Sequence, residues 1–559
     1  MTQQTINRRS FLQRGSTLTV AGAVAGAAGT GMGSPQPTWA TESAQQEPHT
    51  YHGPDTKPDM VPLEVIVLNR LGFGPRPGDL DAFRALGATD EERLTAYIDQ
   101  QLNPEGIDDS ECDAKLAELG LATMDMSLDQ LWAVHVNGDG SVDRKRPVAE
   151  IEQATYTRIV YSKRQLMEVL ADFWHNHFNV YGWDYWIGPT FTHYDRDVIR
   201  GNMLGNFRTM LGDVAKSPAM LFYLDNQKNT TAGANENFSR ELFELHTMGA
   251  DNYLGVMKRA DVPLDEEGRP IGYIDKDVYQ ATESFTGWQV DYDTGLFSFN
   301  ASDHSKYEKI VLNTPIEDFL GETDGEIVLN LVAYHPGTAR HVCQKLCTRL
   351  VSDNPPDSLV EQAAAVFIAA QNDHDQLKQV VRMILLSDEF KATWGEKIKR
   401  PLEFVGSMFR ATNTDFLPEN EFYWNYEAAG QGIFQWQPPN GYPDNKFAWG
   451  TTMPILQRWR VCQWLLRWDF PKEEDDDPTI MRMRLGEQMP SNLVTPTAIV
   501  DYWIDRILGY TMPDSERQPI IEFMAQGRNP DFELPAEDIE DRLPHMASLI
   551  LMSPSFQWR

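Results

Sequence analysis

The chain has 559 residues, with 82 Asp and Glu against 49 Lys and Arg, giving a formal net charge of −33. A field that acidic repels nucleic acid and anionic lipid, so neither is expected as a partner. The four cysteines in the whole chain exclude a disulfide-framework protein.

Residues 1–40 read as a twin-arginine signal peptide. Asn7-Arg8-Arg9-Ser10-Phe11-Leu12 is close to the export motif, a small apolar run covers 17–32, and Thr38-Trp39-Ala40 offers a cleavage site. The run is Gly/Ala-rich and falls short of the roughly 20 strongly apolar residues a membrane span needs. Residues 41–60 read as a polar linker and 61–559 as one helical domain. The mature chain is expected to be periplasmic or secreted, with no membrane span after signal cleavage.

From Val61 the pattern turns helical and stops hard at Gly72-Phe73-Gly74-Pro75. Short helices are predicted over 77–86, 90–102 and 127–136. Residues 137–143 imitate the opening of a calcium loop. Val142 stands where that loop needs Gly, and Val148 where it needs Glu, so the stretch reads as a polar turn. The longest periodic segment is 147–174, where Ile151, Ala154, Ile159, Leu166, Val169 and Phe173 recur at helical spacing. Helices are also predicted over 194–214, 238–248, 276–285, 324–334, 338–351, 357–370, 375–386, 401–411, 452–468, 496–509, 519–525 and 536–551. Residues 288–300 alternate around Asp293-Thr294-Gly295 and predict a hairpin. Residues 472–477 read as a charged, solvated loop. The fold class is mainly α: one large helical domain with a small β-hairpin.

Residues 171–180 crowd Trp174, His175, His177 and Phe178 together. In a helix His175 and His177 stand about 200° apart and cannot share a metal; extended backbone would bring them to one side. Asn176, Asn179 and Gly182 predict a helix end near Trp174, which leaves two readings open: metal ligands, or hydrogen-bonded structural residues. Glu241 and Glu244 share a helix face. Arg240 and Glu244 have ion-pair spacing, and the three also suit general acid–base work. The spacings to His246 exclude a Glu-x-x-His di-iron site.

His335-Pro336-Gly337-Thr338 reads as a helix entrance. His341 and Lys345 follow one turn apart, either facing a cleft or covering helix surface. His304 lies just after the hairpin, where loops place functional side chains. Residues 424–449 form a Pro/Gly-punctuated aromatic stretch. Its Trp436, Tyr442 and Trp449 suit either stacking on a sugar or packing as a flap. Cys343 and Cys347, at i,i+4, are too far apart in a regular helix for a disulfide and are expected as buried thiols. Serine-hydrolase, zincin, P-loop and dinucleotide-binding motifs do not occur.

Seven stretches together carry a resemblance: L-N-R-L-G-F-G-P from Leu68, F-W-H-N-H-F from Phe173, S-R-E-L-F-E-L-H-T-M-G from Ser239, F-T-G-W from Phe285, D-H-S-K from Asp303, H-P-G-T-A-R from His335 with Lys345 and Leu346, and K-R-P-L-E-F from Lys399. In this order and over nearly the whole mature chain, they resemble the bacterial family called "domain of unknown function 1800". The resemblance implies an exported, mainly helical, single-domain protein, often encoded beside a second exported, sulfatase-like family. It implies no settled activity, so no catalytic residue is carried over.

The first functional expectation is a metal-dependent, hydrolytic envelope enzyme. Arg240, Glu241, Glu244 and Lys345 would be catalytic. His175, His177, His304 and His335 would hold a divalent metal. Trp174, Trp288, Trp436 and Trp449 would line the substrate site. The alternatives are a non-catalytic partner of a sulfatase-like exported protein, or a glycan binder using Trp436.

Overall fold

The structure, a computed structural model, describes residues 60–138, 140, 142–416, 418, 420–466 and 483–559. The export motif, nearly all of the 41–60 linker, the charged stretch 472–477 and part of the 137–143 turn lie outside them. The described residues fall in one unit. Helices dominate it, with two small antiparallel hairpins as the described sheet structure. No helix among the described residues is long and apolar enough to cross a membrane.

The periodic segment 147–174 is two helices rather than one, Arg146–Tyr161 and Gln165–His177. The break is made by side chains competing with the backbone. Ser162 turns extended at ψ 141°. Its hydroxyl donates to Asp109 at 2.7 Å and accepts from the Arg164 amide at 2.9 Å. Gln165 and Arg410 then take up carbonyls of the finished turn, Nε2 of Gln165 reaching Ile159 and Ser162, and Nη1 of Arg410 reaching Val160. The second helix buries Leu166, Val169, Leu170, Phe173 and Trp174.

That second helix also runs past its expected end. It stays helical through His177, because the Asn176 side chain bonds back to the Asp172 carbonyl at 2.7 Å instead of breaking the turn. Two further predicted helices open into wide π turns: Tyr194–Arg200 and Leu242–His246. The latter continues the Asn237–Glu241 helix. Helices Asp275–Ser284, Thr323–Ala333, Pro336–Leu350, Gln376–Leu386 and Pro401–Ala411 lie within two residues of their predicted bounds.

The expected hairpin pairs β1 (Trp288–Val290) with β2 (Phe297–Phe299), Trp288 opposite Phe299. Gly295 takes φ +75° in its turn, and a Cβ there would press on the Trp132 ring. A second hairpin, β3 (Lys309–Val311) with β4 (Thr314–Ile316), has no counterpart in the sequence reading. It holds Lys309 inside the fold, where Nζ donates to the Ser305 and Tyr307 carbonyls and to Asp324 at 2.5 Å. All four cysteines are free and buried, including Cys343 and Cys347.

Candidate active site

The end of the Gln165–His177 helix is where separate motif segments meet. Each of its two histidines reaches a π turn, on opposite sides of the helix. His175 donates from Nε2 to Asp195 of the Tyr194–Arg200 turn at 2.9 Å. His177 donates from Nε2 to the His246 carbonyl of the Leu242–His246 turn at 3.0 Å.

On the first side, Arg200 forks twice. Its Nε sits 3.0 Å from both oxygens of Asp195, and its two terminal nitrogens lie 2.8 Å from the two oxygens of Glu168. Burial works against the Asp195 charge, but Arg200 and the His175 hydrogen bond outweigh it and hold that carboxyl below the usual range. His175 lines a cavity of about 40 Å³ together with Asp172, Asn176, Arg200, Gln431 and Tyr442. A water needs roughly 10–15 Å³ by this measure, so the space suits a few waters.

On the second side the chemistry is cationic. A helix end leaves its last carbonyls without partners inside the helix. At the Leu242–His246 turn, two neighbouring carbonyls are capped by imidazoles from elsewhere. His341 Nε2 lies 3.1 Å from the Leu245 carbonyl, and His177 takes His246. Thr247 Oγ1 closes on Leu242 at 2.6 Å, and the Gly249 amide on Phe243 at 2.9 Å. Gly249 adopts φ +86°, and a Cβ there would stand 2.5 Å from His341 Nδ1, so glycine admits the ring.

The His177 ring centroid lies 6.4 Å from that of His246 and 6.3 Å from that of His341. Lys345 follows His341 by one helical turn on Pro336–Leu350. Burial, then the Lys345 charge, lower His246 to about 3 and His341 to about 4. Burial likewise holds His177 well below its ordinary value, with Lys345 adding to it. The Lys345 amine has no hydrogen-bond partner among the described residues. Burial lowers it to about 8, against a partial upward pull from Asp444.

The other expected ligands lie elsewhere. His304 presents Nδ1 to the Thr286 carbonyl at 2.8 Å and Nε2 to Asp324 at 3.0 Å, so both ring nitrogens are taken. His335, expected as a metal ligand, caps the helix whose entrance was expected at 335–338: Nδ1 accepts from the Gly337 amide at 3.0 Å, and Nε2 meets the Pro270 carbonyl at 2.8 Å. The histidines expected to share a metal thus have separate protein partners. The helical backbone at 175–177 also keeps His175 and His177 apart. Among the described residues no group of three or more His, Cys, Asp or Glu is placed to hold a metal ion.

Arg240 does not pair with Glu244. It reaches Glu236 at 3.2 Å and Asp275 at 3.6 Å, because the chain widens into the π turn just after Glu241 and the i+4 direction shifts. Glu241 and Glu244 are half-buried, and both charges act on the Tyr273 phenol, which burial raises first.

Trp174 and Trp288 are fully buried and are not placed to stack on a substrate. Trp174 donates to the Met203 carbonyl and packs on Phe173 and Phe178; Trp288 packs on Phe285 and Phe297. Trp436 is half-buried on Tyr442, its indole N–H held by Asn440 at 2.9 Å, and Trp449 donates to the Pro443 carbonyl at 2.7 Å. Asn179 ties this stretch down through the Trp436 and Pro438 carbonyls, and Asn176 through the Tyr442 amide. It packs as a flap over the end of the helix.

Behind the flap lies an ion cluster that sequence reading missed. Glu403 accepts from Arg349, Arg400 and Arg559, and Arg400 also binds Asp172. Charges scattered from 172 to 559 carry no local pattern; the K-R-P-L-E-F stretch was the available signal.

The family described as protein of unknown function (DUF1800) matches residues 66–558 of the chain. The chain belongs to this family. The match takes in every motif segment that converges on the helix end. No curated protein matches the chain, and no solved structure does.

Proposed function

We propose that this family member is an exported enzyme that works by acid–base or amine chemistry at Lys345. Export rests on the Arg8-Arg9 signal pattern at the N-terminus. The observation that carries the enzymatic reading is the Lys345 amine itself. It follows His341 by one helical turn and its charge acts on His177, His246 and His341; burial lowers it to about 8, and Asp444 offsets this only in part. An amine substantially uncharged just above neutrality is both a base and a nucleophile, which an ordinary lysine at about 10.4 is not. Lys399 is lowered further, to about 7, but it is buried with its ammonium 3.9 Å over the Phe556 ring. Lys345 keeps partial exposure.

The test is competitive acetylation with acetic anhydride across pH 6–11, read at each lysine by mass spectrometry. Lys345 is expected to reach half reactivity near pH 8, while surface lysines do so about two units higher. In parallel, any turnover found on a panel of ester, phosphate, sulfate and glycoside substrates should vanish in Lys345→Met with helicity unchanged. An ordinary pH profile at Lys345, no labelling there, or turnover unaffected by Lys345→Met would each overturn the reading.

A second reading, a non-catalytic partner of another envelope protein, is favoured by exposed apolar side chains. Trp424 is 73% exposed and Phe447 64%, with Met453 and Leu456 following on the neighbouring helix. A stoichiometric partner that co-purifies with the wild type, and is lost in Trp424→Ser/Phe447→Ser, would support it. Elemental analysis of the purified protein tests for a divalent metal, and a polysaccharide panel with Trp436→Ala tests for glycan binding.

A further inference from the structure

Three ring nitrogens in the cluster have no hydrogen-bond partner among the described residues: Nδ1 of His177 and both nitrogens of His246. Both residues are 1% exposed. Buried polar atoms are rarely left so, and three together mark a place built for something that bonds to them.

Their chemistry has a definite polarity. A neutral imidazole carries one donor and one acceptor. His177 uses its N–H on the His246 carbonyl, so its Nδ1 is an acceptor. His246 presents one donor and one acceptor. The charged Lys345 adds three donors. Among the described residues no carboxylate pairs with this amine directly: Asp444, whose charge reaches it, is bonded to Lys397 at 3.0 Å. Asp251, which acts on His341, is exposed. With His177 Nδ1 and one His246 nitrogen as acceptors, the cluster therefore asks for a negative ligand with several acceptor atoms and at least one proton to give.

We infer that His177, His246 and Lys345 form a binding site for a small oxyanion that carries a proton of its own, of the hydrogen phosphate or hydrogen carbonate kind. Its charged oxygens accept from Lys345 Nζ and the His246 N–H, and its hydroxyl donates to His177 Nδ1. This rests on the reading of Lys345 as the reactive amine, and makes the oxyanion the handle that seats a substrate beside it. Sulfate, which has no proton near neutrality, would set an acceptor against an acceptor at His177 and bind at least tenfold more weakly.

The test uses the purified chain with inorganic phosphate, hydrogen carbonate and sulfate at pH 7, by titration calorimetry and thermal melting. Phosphate or hydrogen carbonate is expected to bind and to raise the melting temperature, with sulfate at least tenfold weaker. Lys345→Met and, separately, His246→Asn should each lose tenfold or more. Methyl phosphate is compared with phosphate at about pH 5.5, where its monoanion still carries a hydroxyl; binding as well as phosphate would assign the site to a phosphoryl group on a larger molecule, and phosphate alone would assign it to the free ion. The inference is overturned if neither phosphate nor hydrogen carbonate binds, if sulfate matches them, or if both variants fold and bind as the wild type does. Should a variant fail to fold, the wild-type comparison of phosphate with sulfate decides.

Acetylation of Lys345 separates the two proposals. Half reactivity near pH 8 without oxyanion binding removes this site and leaves the reactive amine. Oxyanion binding with an ordinary lysine profile does the reverse.

Discussion

His177 donates a hydrogen bond from Nε2 to the backbone carbonyl of His246 across 3.0 Å, joining the F-W-H-N-H-F helix to the end of a π turn. Wide turns of this kind cluster at functional sites, because they displace side chains from regular helix positions. Here the turn sends the Leu245 and His246 carbonyls outward, and two imidazoles meet them. The bond is expected to matter more than the ring's volume. His177→Ala should lower stability by about 2–3 kcal/mol, by leaving the His246 carbonyl unpaired in the interior. His177→Gln, which keeps an N–H donor, should lose clearly less. Urea midpoints on the two variants check this, and equal losses would show that the bond contributes nothing of its own.

Gly249 supplies a second test of the same seam. Its φ of +86° and ψ of 156° are a glycine-only conformation, and its missing Cβ makes room for His341. Gly249→Ala should cost about 1–3 kcal/mol from backbone strain, with the ring contact adding to it. Because His341 must then move off the Leu245 carbonyl, the Lys345 acetylation profile should shift as well. A stable Gly249→Ala protein with an unchanged Lys345 profile would mean the His341 position does not matter to the amine.

Much of the helical order was legible beforehand, because apolar periodicity and Pro or Gly punctuation act locally. The Pro401–Ala411 helix was readable to the residue from its leading Pro and apolar run. Three things were not. The break at Ser162 depends on Asp109, over fifty residues away, and periodicity cannot register it. The π turns leave no distinct pattern at 194–200 or 242–246, since one extra residue per turn changes direction and not composition. The direction of each histidine was also hidden. The segments of His246 and His341 meet F-W-H-N-H-F, while His304 is held by Asp324 and the Thr286 carbonyl.

The imidazoles set an early acid sensitivity. His177, His246, His335 and His341 all have folded pKa values below the ordinary 6.5. The unfolded chain takes up those protons first as pH falls. Their contribution is complete above about 6.5 and declines below it, through about 4 for His341 and about 3 for His246. Each such group removes up to about 1.4 kcal/mol per pH unit inside its window. Urea unfolding at pH 7, 6 and 5 should therefore show stability falling before the carboxylates titrate. His246→Asn, which removes one titrating ring, should flatten that slope; an unchanged slope would place the sensitivity elsewhere.

Glu403 governs a lower window. Burial alone would raise its pKa, but Arg400, Arg559 and Arg349 outweigh burial and hold it well below the carboxylate range. A carboxyl depressed on folding contributes above its unfolded pKa, about 4.3, and loses that contribution as pH falls toward the folded value. Three guanidiniums share this one carboxylate, so removing it leaves Arg559 without a carboxylate among the described residues and Arg349 and Arg400 with Asp172 alone. Glu403→Gln should cost about 3–5 kcal/mol at pH 7, the penalty for uncompensated buried charge. Arg559→Ala should cost less, because Arg349 and Arg400 remain on Glu403. If the cluster acts as a unit, the double variant should cost less than the two single losses combined, since Arg559 is no longer stranded once Glu403 is gone. Denaturation midpoints of the wild type, both single variants and the double variant measure that coupling. Strict additivity would show that Arg559 stabilises the fold through its packing and its bond to the Arg70 carbonyl, and not through Glu403.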